Sequence, residues 1–364
     1  MQNSVSNRQM TFLTFLVCTA LSTTTISRAM ALSAGRGAWL TLLITSVLFG
    51  GITVLILKLN QMYEGKVLFE YSGIIAGRVL PYILGVFYVL YFLIFDISIG
   101  NTLAQLVHTH FLIKTPEWAL IFILVPVLGY IAYKGLNRAA RLVEIFLIWF
   151  LIVSVVIFIT MIFQGRWNYL LPLFNPSDAG KYVLSVWDAY PAFMGIAVLT
   201  LVPVNKKNRK ASTAMFFTMI ALALFYIIDV YGCYALIGIH EITHLNYPLI
   251  DAVRLIEYQP IEFFQRVDIV YMTLGFIRIF ISKGIIYLAA VEYLCRMFPK
   301  IKRIVIVLVV GAVVSIASIV SLGIPDVPEV LTAITEYCSV AAAFVIPMAL
   351  FVIAKVRGHG KKNA

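Results

Sequence analysis

Long apolar stretches separated by short polar clusters form the dominant pattern along this chain. Three stretches contain no charged residue: residues 37–57 and 145–165 run for 21 residues each, and residues 304–325 run for 22. An α-helix rises about 1.5 Å per residue, so about 20 residues cross a hydrocarbon core about 30 Å thick. The pattern therefore predicts an all-α membrane protein, with ten transmembrane helices in a single integral-membrane domain over residues 1–364. The predicted spans are roughly 10–34, 38–58, 80–108, 117–134, 142–164, 181–203, 211–239, 266–295, 304–323 and 331–354.

Basic residues alternate between the loops that join these spans. The ten-span arrangement places 19 of the 28 Lys and Arg residues on the side of both termini and seven on the other side. The remaining two, Arg278 and Lys283, fall inside a span. Since cytoplasmic loops carry the positive excess in membrane proteins, both the N-terminus and the C-terminus are predicted to be cytoplasmic.

Bulk composition agrees with a membrane protein. Of the 364 residues, 62% are hydrophobic and 12% charged, which excludes an ordinary soluble domain. The net charge of +11 resides in clusters between spans, so membrane lipid is the expected partner and nucleic acid is not. The four cysteines are far apart and lack a CxxC spacing, so the sequence predicts no metal site, disulfide framework or cofactor.

Two predicted spans look discontinuous. The first contains a hydroxyl-rich patch of poor helix propensity at residues 20–27, and the sixth contains Pro191 and Gly195 within residues 188–195. Breaks at corresponding positions, in helices 1 and 6, are typical of a 5+5 inverted-repeat transporter fold with a binding site at the membrane midplane. The alternative is two kinked helices whose backbone groups are satisfied by Ser and Thr side chains.

Four charged residues lie within the predicted spans: Asp96, Asp229, Arg278 and Lys283. Each costs roughly 2.5–3.5 kcal/mol at a helix centre, so each must face protein or water. In one interpretation the acidic and basic residues pair with each other. In another, Arg278 or Lys283 projects into the binding site, where it replaces a bound cation or binds a carboxylate. The two basic residues are five positions apart, about 500° around a helix, so they do not share one face.

An aromatic pair and a histidine motif each allow two interpretations. Tyr91 and Phe95 lie one helical turn apart, which suits either core packing or a ligand-contacting face.

Residues 240–244 match the HExxH pattern of zinc proteases. Asn246 and Pro248 follow at once, however, as expected where a chain leaves its helix. These histidines are interpreted as loop residues, and the sequence does not predict an enzyme.

In the order and spacing of several short motifs, the chain resembles the spore germination permease family over roughly residues 5–356. The family comprises the integral-membrane B subunits of germinant receptors, within the amino acid–polyamine–organocation transporter superfamily. The motifs are residues 5–9 (VSNRQ), 34–39 (AGRGAW), Pro203 before a basic loop, 247–248 (YP) and 263–268 (FFQRVD).

The resemblance implies a ten-helix transporter-like fold that senses a small nutrient, the germinant. It also implies two partners, a receptor A subunit and a lipoprotein C subunit, in the spore inner membrane. By position, the ligand pocket is expected at Ala20, Ser22, Thr23, Thr24, Tyr91, Phe95, Met194, Gly195, Ser282 and Ile286.

Four departures from the family pattern affect the expected ligand. The glycine-rich stretch of the first break is here residues 20–22 (ALS), and a usual proline is Ser27; an acidic residue after Gly195 is replaced by Ala197, and a common Trp by Gly275. Without glycine less backbone is exposed, so a sugar or polar amide suits the site at least as well as an amino acid. The alternative to a receptor subunit is a stand-alone proton-coupled amino-acid or amine permease that uses Asp96, Asp229 or Lys283.

Overall fold

The computed structural model describes residues 5–204, 210–256 and 267–357, and all regular structure within these ranges is helical. Most of the basic linker before residue 211 and of the motif at residues 263–268 lies outside the described residues. The α-helices are α1 Asn7–Ser33, α2 Ala38–Met62, α3 Leu68–Ala76, α4 Leu80–His110, α5 Glu117–Lys134, α6 Leu136–Gln164, α7 Ala179–Leu184, α8 Val186–Ala189, α9 Ala211–Ile237, α10 Ile239–Ile242, α11 Pro248–Arg254, α12 Val267–Met297, α13 Arg303–Leu322, α14 Val327–Val340 and α15 Ile346–Val356.

Membrane-spanning helices make up most of the fold. Within the described ranges, eight helical stretches are long and apolar enough to cross a bilayer, and one of them joins α14 and α15 through the π-helical turn Ala341–Val345. Two further spans are bent pairs, α1 and the segment Pro176–Leu201. Counting each bent pair as one span gives ten, as the hydrophobic pattern predicts.

The bend in α1 coincides with the hydroxyl-rich patch. The parts Asn7–Ala20 and Ser22–Ser33 meet at 58°. Around this point, side-chain hydroxyls donate to carbonyls one turn earlier: Thr19 to the Phe15 carbonyl at 3.0 Å and Thr23 to the Thr19 carbonyl at 3.3 Å. Such bonds compete with the helical ladder and favour bending. The discontinuity predicted for the first span is therefore confirmed as a bend.

The sixth span bends earlier than the sequence predicts. Its two parts, Pro176–Leu184 and Val186–Leu201, meet at 45° around Ser185. The segment expected to break lies instead in a long 3₁₀-helix, Tyr190–Leu201. Pro191 sits in its first turn, where a backbone N–H has no helical partner, so proline does not interrupt it. The predicted break at residues 188–195 was wrong in position because proline is tolerated at a helix start.

Gly195 joins the two bent spans by direct backbone contact. A Cβ built on this residue would lie 2.7 Å from the Cys18 nitrogen and 2.9 Å from the Val17 carbonyl carbon. Only a residue without a side chain permits this approach. The glycine expected to line the ligand pocket therefore packs against α1, and its lack of a side chain serves helix packing.

Side chains from neighbouring helices hold the C-terminal end of the long 3₁₀-helix. Asn60 of α2 donates to the carbonyls of Leu199 at 3.0 Å and Val202 at 3.1 Å, and Tyr71 of α3 donates to the Asn60 side chain at 2.9 Å. Terminal carbonyls of a helix lack intrahelical partners, and both Leu199 and Val202 are buried. Asn60 supplies partners for two of these carbonyls, and Tyr71 holds the Asn60 amide in place.

The short helix α11 packs onto the core. Leu249, Ile250, Ala252 and Val253 are buried against α1, α9 and α12. This helix therefore lies over the bundle, against three of its helices.

Replacing Gly195 with alanine is expected to lower the melting temperature of the detergent-solubilised protein, because its Cβ meets α1 backbone that cannot rotate away. Overpacking of this kind costs roughly 1–3 kcal/mol. Gly51→Ala is the matched control, since a Cβ on Gly51 meets nothing within 4 Å. Equal melting temperatures for the two variants would contradict the assigned contact.

Candidate functional site

Lys283 of α12 is neutralised inside the bundle. Its ammonium donates to Asp96 Oδ2 of α4 at 2.7 Å and to the Asp96 carbonyl at 2.6 Å, and both side chains are at most 2% exposed. Gly100 makes room for it, since a Cβ there would lie 2.7 Å from Nζ. One of the intramembrane pairings considered from the sequence is thus present, between α4 and α12.

Arg278, the other buried cation of α12, lies at the bend of α1. One terminal nitrogen, Nη2, donates to Thr23 Oγ1 at 2.6 Å and lies 3.5 Å from the Ala20 carbonyl. The guanidinium carbon stands 4.7 Å from the centre of the Phe150 ring, a cation–π contact. Nε and Nη1 have no hydrogen-bond partner among the described residues. Arg278 therefore reaches the predicted binding region, and two of its nitrogens, Nε and Nη1, have no acceptor among the described residues.

Asp229 of α9 is the fourth intramembrane charge, and it is fully buried. Oδ1 accepts from the Cys233 thiol at 3.7 Å, while Oδ2 has no partner in the described part of the chain. It interacts electrostatically with Arg278, although the two form no ion pair within 4.0 Å there. Direct pairing with a basic residue, one interpretation of the sequence, is realised for Asp96 and is wrong for Asp229.

Two side-chain hydroxyl groups donate hydrogen bonds to backbone carbonyls near the point where the bent spans meet. The Tyr226 hydroxyl of α9 lies 2.9 Å from the carbonyl oxygens of both Cys18 and Ala192, so its single proton is shared between them. Ser282 Oγ lies 3.1 Å from the Leu16 carbonyl and 2.9 Å from that of Arg278. Side chains therefore satisfy these carbonyls, which is the kinked-helix alternative for this part of the site.

The ten residues expected at the ligand pocket do not all surround one open cavity. Ala20 and Thr23 contact Arg278. Tyr91 and Phe95 are buried with ring centres 5.9 Å apart, and the Tyr91 hydroxyl has no partner among the described residues. The others differ in exposure: Ser22 and Met194 are partly buried, whereas Thr24, Gly195, Ser282 and Ile286 are buried.

A small cavity lies beside Arg278 and beneath α11. Its volume is about 30 Å³, and its walls include Thr24, Tyr271, Gly275 and Arg278, with Leu249 and Ile250 of α11 as a cover. This space suits about one or two water molecules and is too small for a nutrient. Gly275, the position of a departure from the family pattern, leaves open space where a side chain would project. The site is closed in this structure.

Three aromatic residues at the site were missed by sequence reasoning: Phe150, Tyr226 and Tyr271. They contact the Arg278 side chain, the two bent spans and the cavity, respectively. Nothing local distinguishes them among the 25 Phe and 19 Tyr residues of the chain. Their roles follow from helix packing.

The two histidines of the HExxH motif lie at a helix end with their ring centres 5.6 Å apart. His240 and Glu241 lie on the four-residue helix α10, and His244 follows its end. The adjoining loop is held by Arg28 of α1, which donates to the Thr243 carbonyl at 3.2 Å and to Asn246 at 3.1 Å. Within the described ranges, no group of three His, Cys, Asp or Glu side chains is placed to hold a metal ion.

Breaking the Lys283–Asp96 pair from either side is expected to destabilise the protein. Lys283→Met or Asp96→Asn each removes one charge and leaves the other buried without its counter-ion, at a cost of about 3–5 kcal/mol. The double variant removes both charges and should recover much of the loss. Melting temperatures of the four proteins form a double-mutant cycle. A double variant less stable than both single variants would contradict a direct pairing.

Solved structures of two transporters share the fold. A crystal structure of the Eremococcus coleocola manganese transporter, in complex with an aromatic bis-isothiourea substituted compound, matches 98% of this chain and 81% of its own. The TM-score is 0.66 at 13% sequence identity. The structure of MhsT in complex with L-phenylalanine gives the same TM-score and identity, over 96% of this chain and 98% of its own. At this identity the likeness concerns the fold.

Relatives by sequence are germination proteins of Bacillus. Spore germination protein B2 of Bacillus subtilis (strain 168) is 24% identical over 67% of this chain and 66% of its own length, just under two thirds. Spore germination protein YndE of the same organism is 25% identical over 70% of this chain and 71% of its own. The family model described as spore germination protein matches residues 4–322. The chain belongs to this spore germination protein family and is an integral membrane protein.

Proposed function

We propose that this chain is the nutrient-sensing membrane subunit of a spore germinant receptor. It binds a small polar molecule, an amino acid or a sugar, near the membrane midplane between the bend of α1, the long 3₁₀-helix, α4 and α12. Family membership supports a role in germination. The observation that carries the location is Arg278, a buried cation at the α1 bend with unpartnered N–H groups.

The contrast between the two cations of α12 supports a ligand role for Arg278. Lys283 has a carboxylate partner at 2.7 Å, as a structural charge in a membrane requires. Arg278 has one hydroxyl, one distant carbonyl and an aromatic ring. Buried donors without acceptors are rare and each costs about 1–3 kcal/mol. Such a residue is retained where a ligand supplies the missing acceptors, either a carboxylate or sugar hydroxyls.

Binding requires movement of α11. The 30 Å³ cavity is covered by Leu249 and Ile250, so a nutrient gains access only when this short helix shifts outward. The nutrient then favours the arrangement that accommodates it, and the change in population is the signal. In the receptor, that signal passes to the A subunit and the lipoprotein C subunit in the spore inner membrane. Both termini are cytoplasmic, the ten spans form one domain, and the chain performs no catalysis.

Replacing Arg278 with glutamine is expected to raise the nutrient concentration needed for half-maximal germination at least tenfold, because the cationic donors at the α1 bend are lost. The measurement is a dose–response curve of spores carrying the variant. Arg141→Gln is the matched control, since Arg141 is exposed on α6. Immunoblots of spore membranes must give equal amounts of both variants. An unchanged curve for Arg278→Gln at equal abundance would refute its role.

Tyr91→Ala and Ser22→Leu are expected to abolish the nutrient response while membrane insertion is preserved. The first removes the α4 aromatic face with its unpartnered hydroxyl, and the second blocks the α1 bend with a larger apolar side chain. The readouts are germination and the abundance of the protein in spore membranes. Normal dose–response curves for both variants would refute the pocket assignment.

A stand-alone proton-coupled permease is the second candidate, and the likeness to two transporter structures is the observation that favours it. Reconstitution separates the two functions. We expect the purified chain in liposomes to bind nutrient without accumulating it. Nutrient uptake driven by a proton gradient, in liposomes that contain this chain alone, would establish the permease and displace the receptor proposal.

A further inference from the structure

An apolar groove of about 510 Å³ lies between α5, α6 and α12, away from the closed site. Its walls include Val127 and Ile131 of α5, Leu142 of α6, and Phe280 and Ile281 of α12. All three helices are membrane spans, so the groove faces lipid tails. An acyl chain is the natural occupant of such a wall.

One end of the groove is basic. Lys134 in the last turn of α5 and Arg138 in the first turns of α6 both line it. The Lys134 ammonium stands 5.0 Å from the centre of the Tyr130 ring, which also lines the groove. This contact keeps the ammonium at the groove mouth. The basic end lies where α5 leaves the membrane, on the side predicted to be cytoplasmic.

Neither Lys134 nor Arg138 forms an ion pair with a carboxylate in the described part of the chain. Arg303, at the same end of α5, differs: it donates to Glu292 at 2.5 Å and to the Ala132 carbonyl at 2.7 Å. The groove therefore combines an apolar wall with two available positive charges at the membrane surface.

We propose that this groove binds one anionic phospholipid, with an acyl chain along α5 and α12 and the phosphate at Lys134 and Arg138. Any phospholipid fills an apolar wall equally well, so the headgroup charge decides the selectivity. Basic residues near the surface attract anionic lipid, and two of them correspond to a preference on the order of tenfold over a zwitterionic lipid.

The test removes the two charges and counts bound lipid. Wild-type full-length protein and the variant Lys134→Gln/Arg138→Gln are purified in mild detergent from bilayers of equal phosphatidylglycerol and phosphatidylcholine. Native mass spectrometry then counts retained phospholipids. The wild type should retain phosphatidylglycerol about tenfold over phosphatidylcholine, and the variant should retain both equally. Lys58→Gln/Lys66→Gln is the control, which removes two exposed charges from the same predicted side and should behave as wild type.

A second variant tests the groove without changing charge. Val127→Trp adds bulk at a half-exposed, lipid-facing position, so it should lower phosphatidylglycerol retention while the protein folds normally. Excess inorganic phosphate should not displace the lipid, because the acyl chain contributes to binding. The proposal is overturned by equal retention in wild type and Lys134→Gln/Arg138→Gln, by phosphatidylglycerol retention in Val127→Trp that matches wild type, or by displacement with phosphate alone.

Discussion

Polar groups inside a membrane have no water to satisfy them, and most of this structure follows from that constraint. The ammonium of Lys283 is held by Asp96, which ties α12 to α4. The carbonyls where α1 meets the long 3₁₀-helix are held by Tyr226, and those at its C-terminal end by Asn60. Each contact joins different helices, so satisfying the polar groups also positions the bundle. The bent spans are held in place because side chains of neighbouring helices donate hydrogen bonds to their backbone carbonyls.

Arg278 departs from this rule, as do Asp229 Oδ2 and the Tyr91 hydroxyl, which have no partner among the described residues. Nε and Nη1 of Arg278 have no acceptor among the described residues, whereas the Lys283 ammonium on the same helix has Asp96 as its counter-ion. Because the two basic residues are five positions apart, they lie on different faces of α12: Arg278 contacts α1 and Lys283 contacts α4. One helix thus carries a charge with a counter-ion and a second charge with unused donors.

α12 also connects the closed site with the lipid-facing groove. Arg278 and Ser282 contact α1, whereas Phe280 and Ile281 form part of the groove wall. The proposed nutrient site and the proposed lipid site therefore share this helix. The proposed cover of this site, α11, also touches α12, although it packs mainly on α1 and α9.

The sequence by itself determined the spans, the bend of α1 and the presence of four intramembrane charges. These are local properties, since hydropathy, hydroxyl clustering and charge are read within one or two helical turns. Only the tertiary structure decided that Asp96 forms an ion pair with Lys283, whereas Asp229 has no ion-pair partner among the described residues. It also placed the sixth-span bend at Ser185 and set Gly195 against Cys18. Those outcomes depend on which helix faces each residue, and periodicity along one helix carries no information about its neighbour.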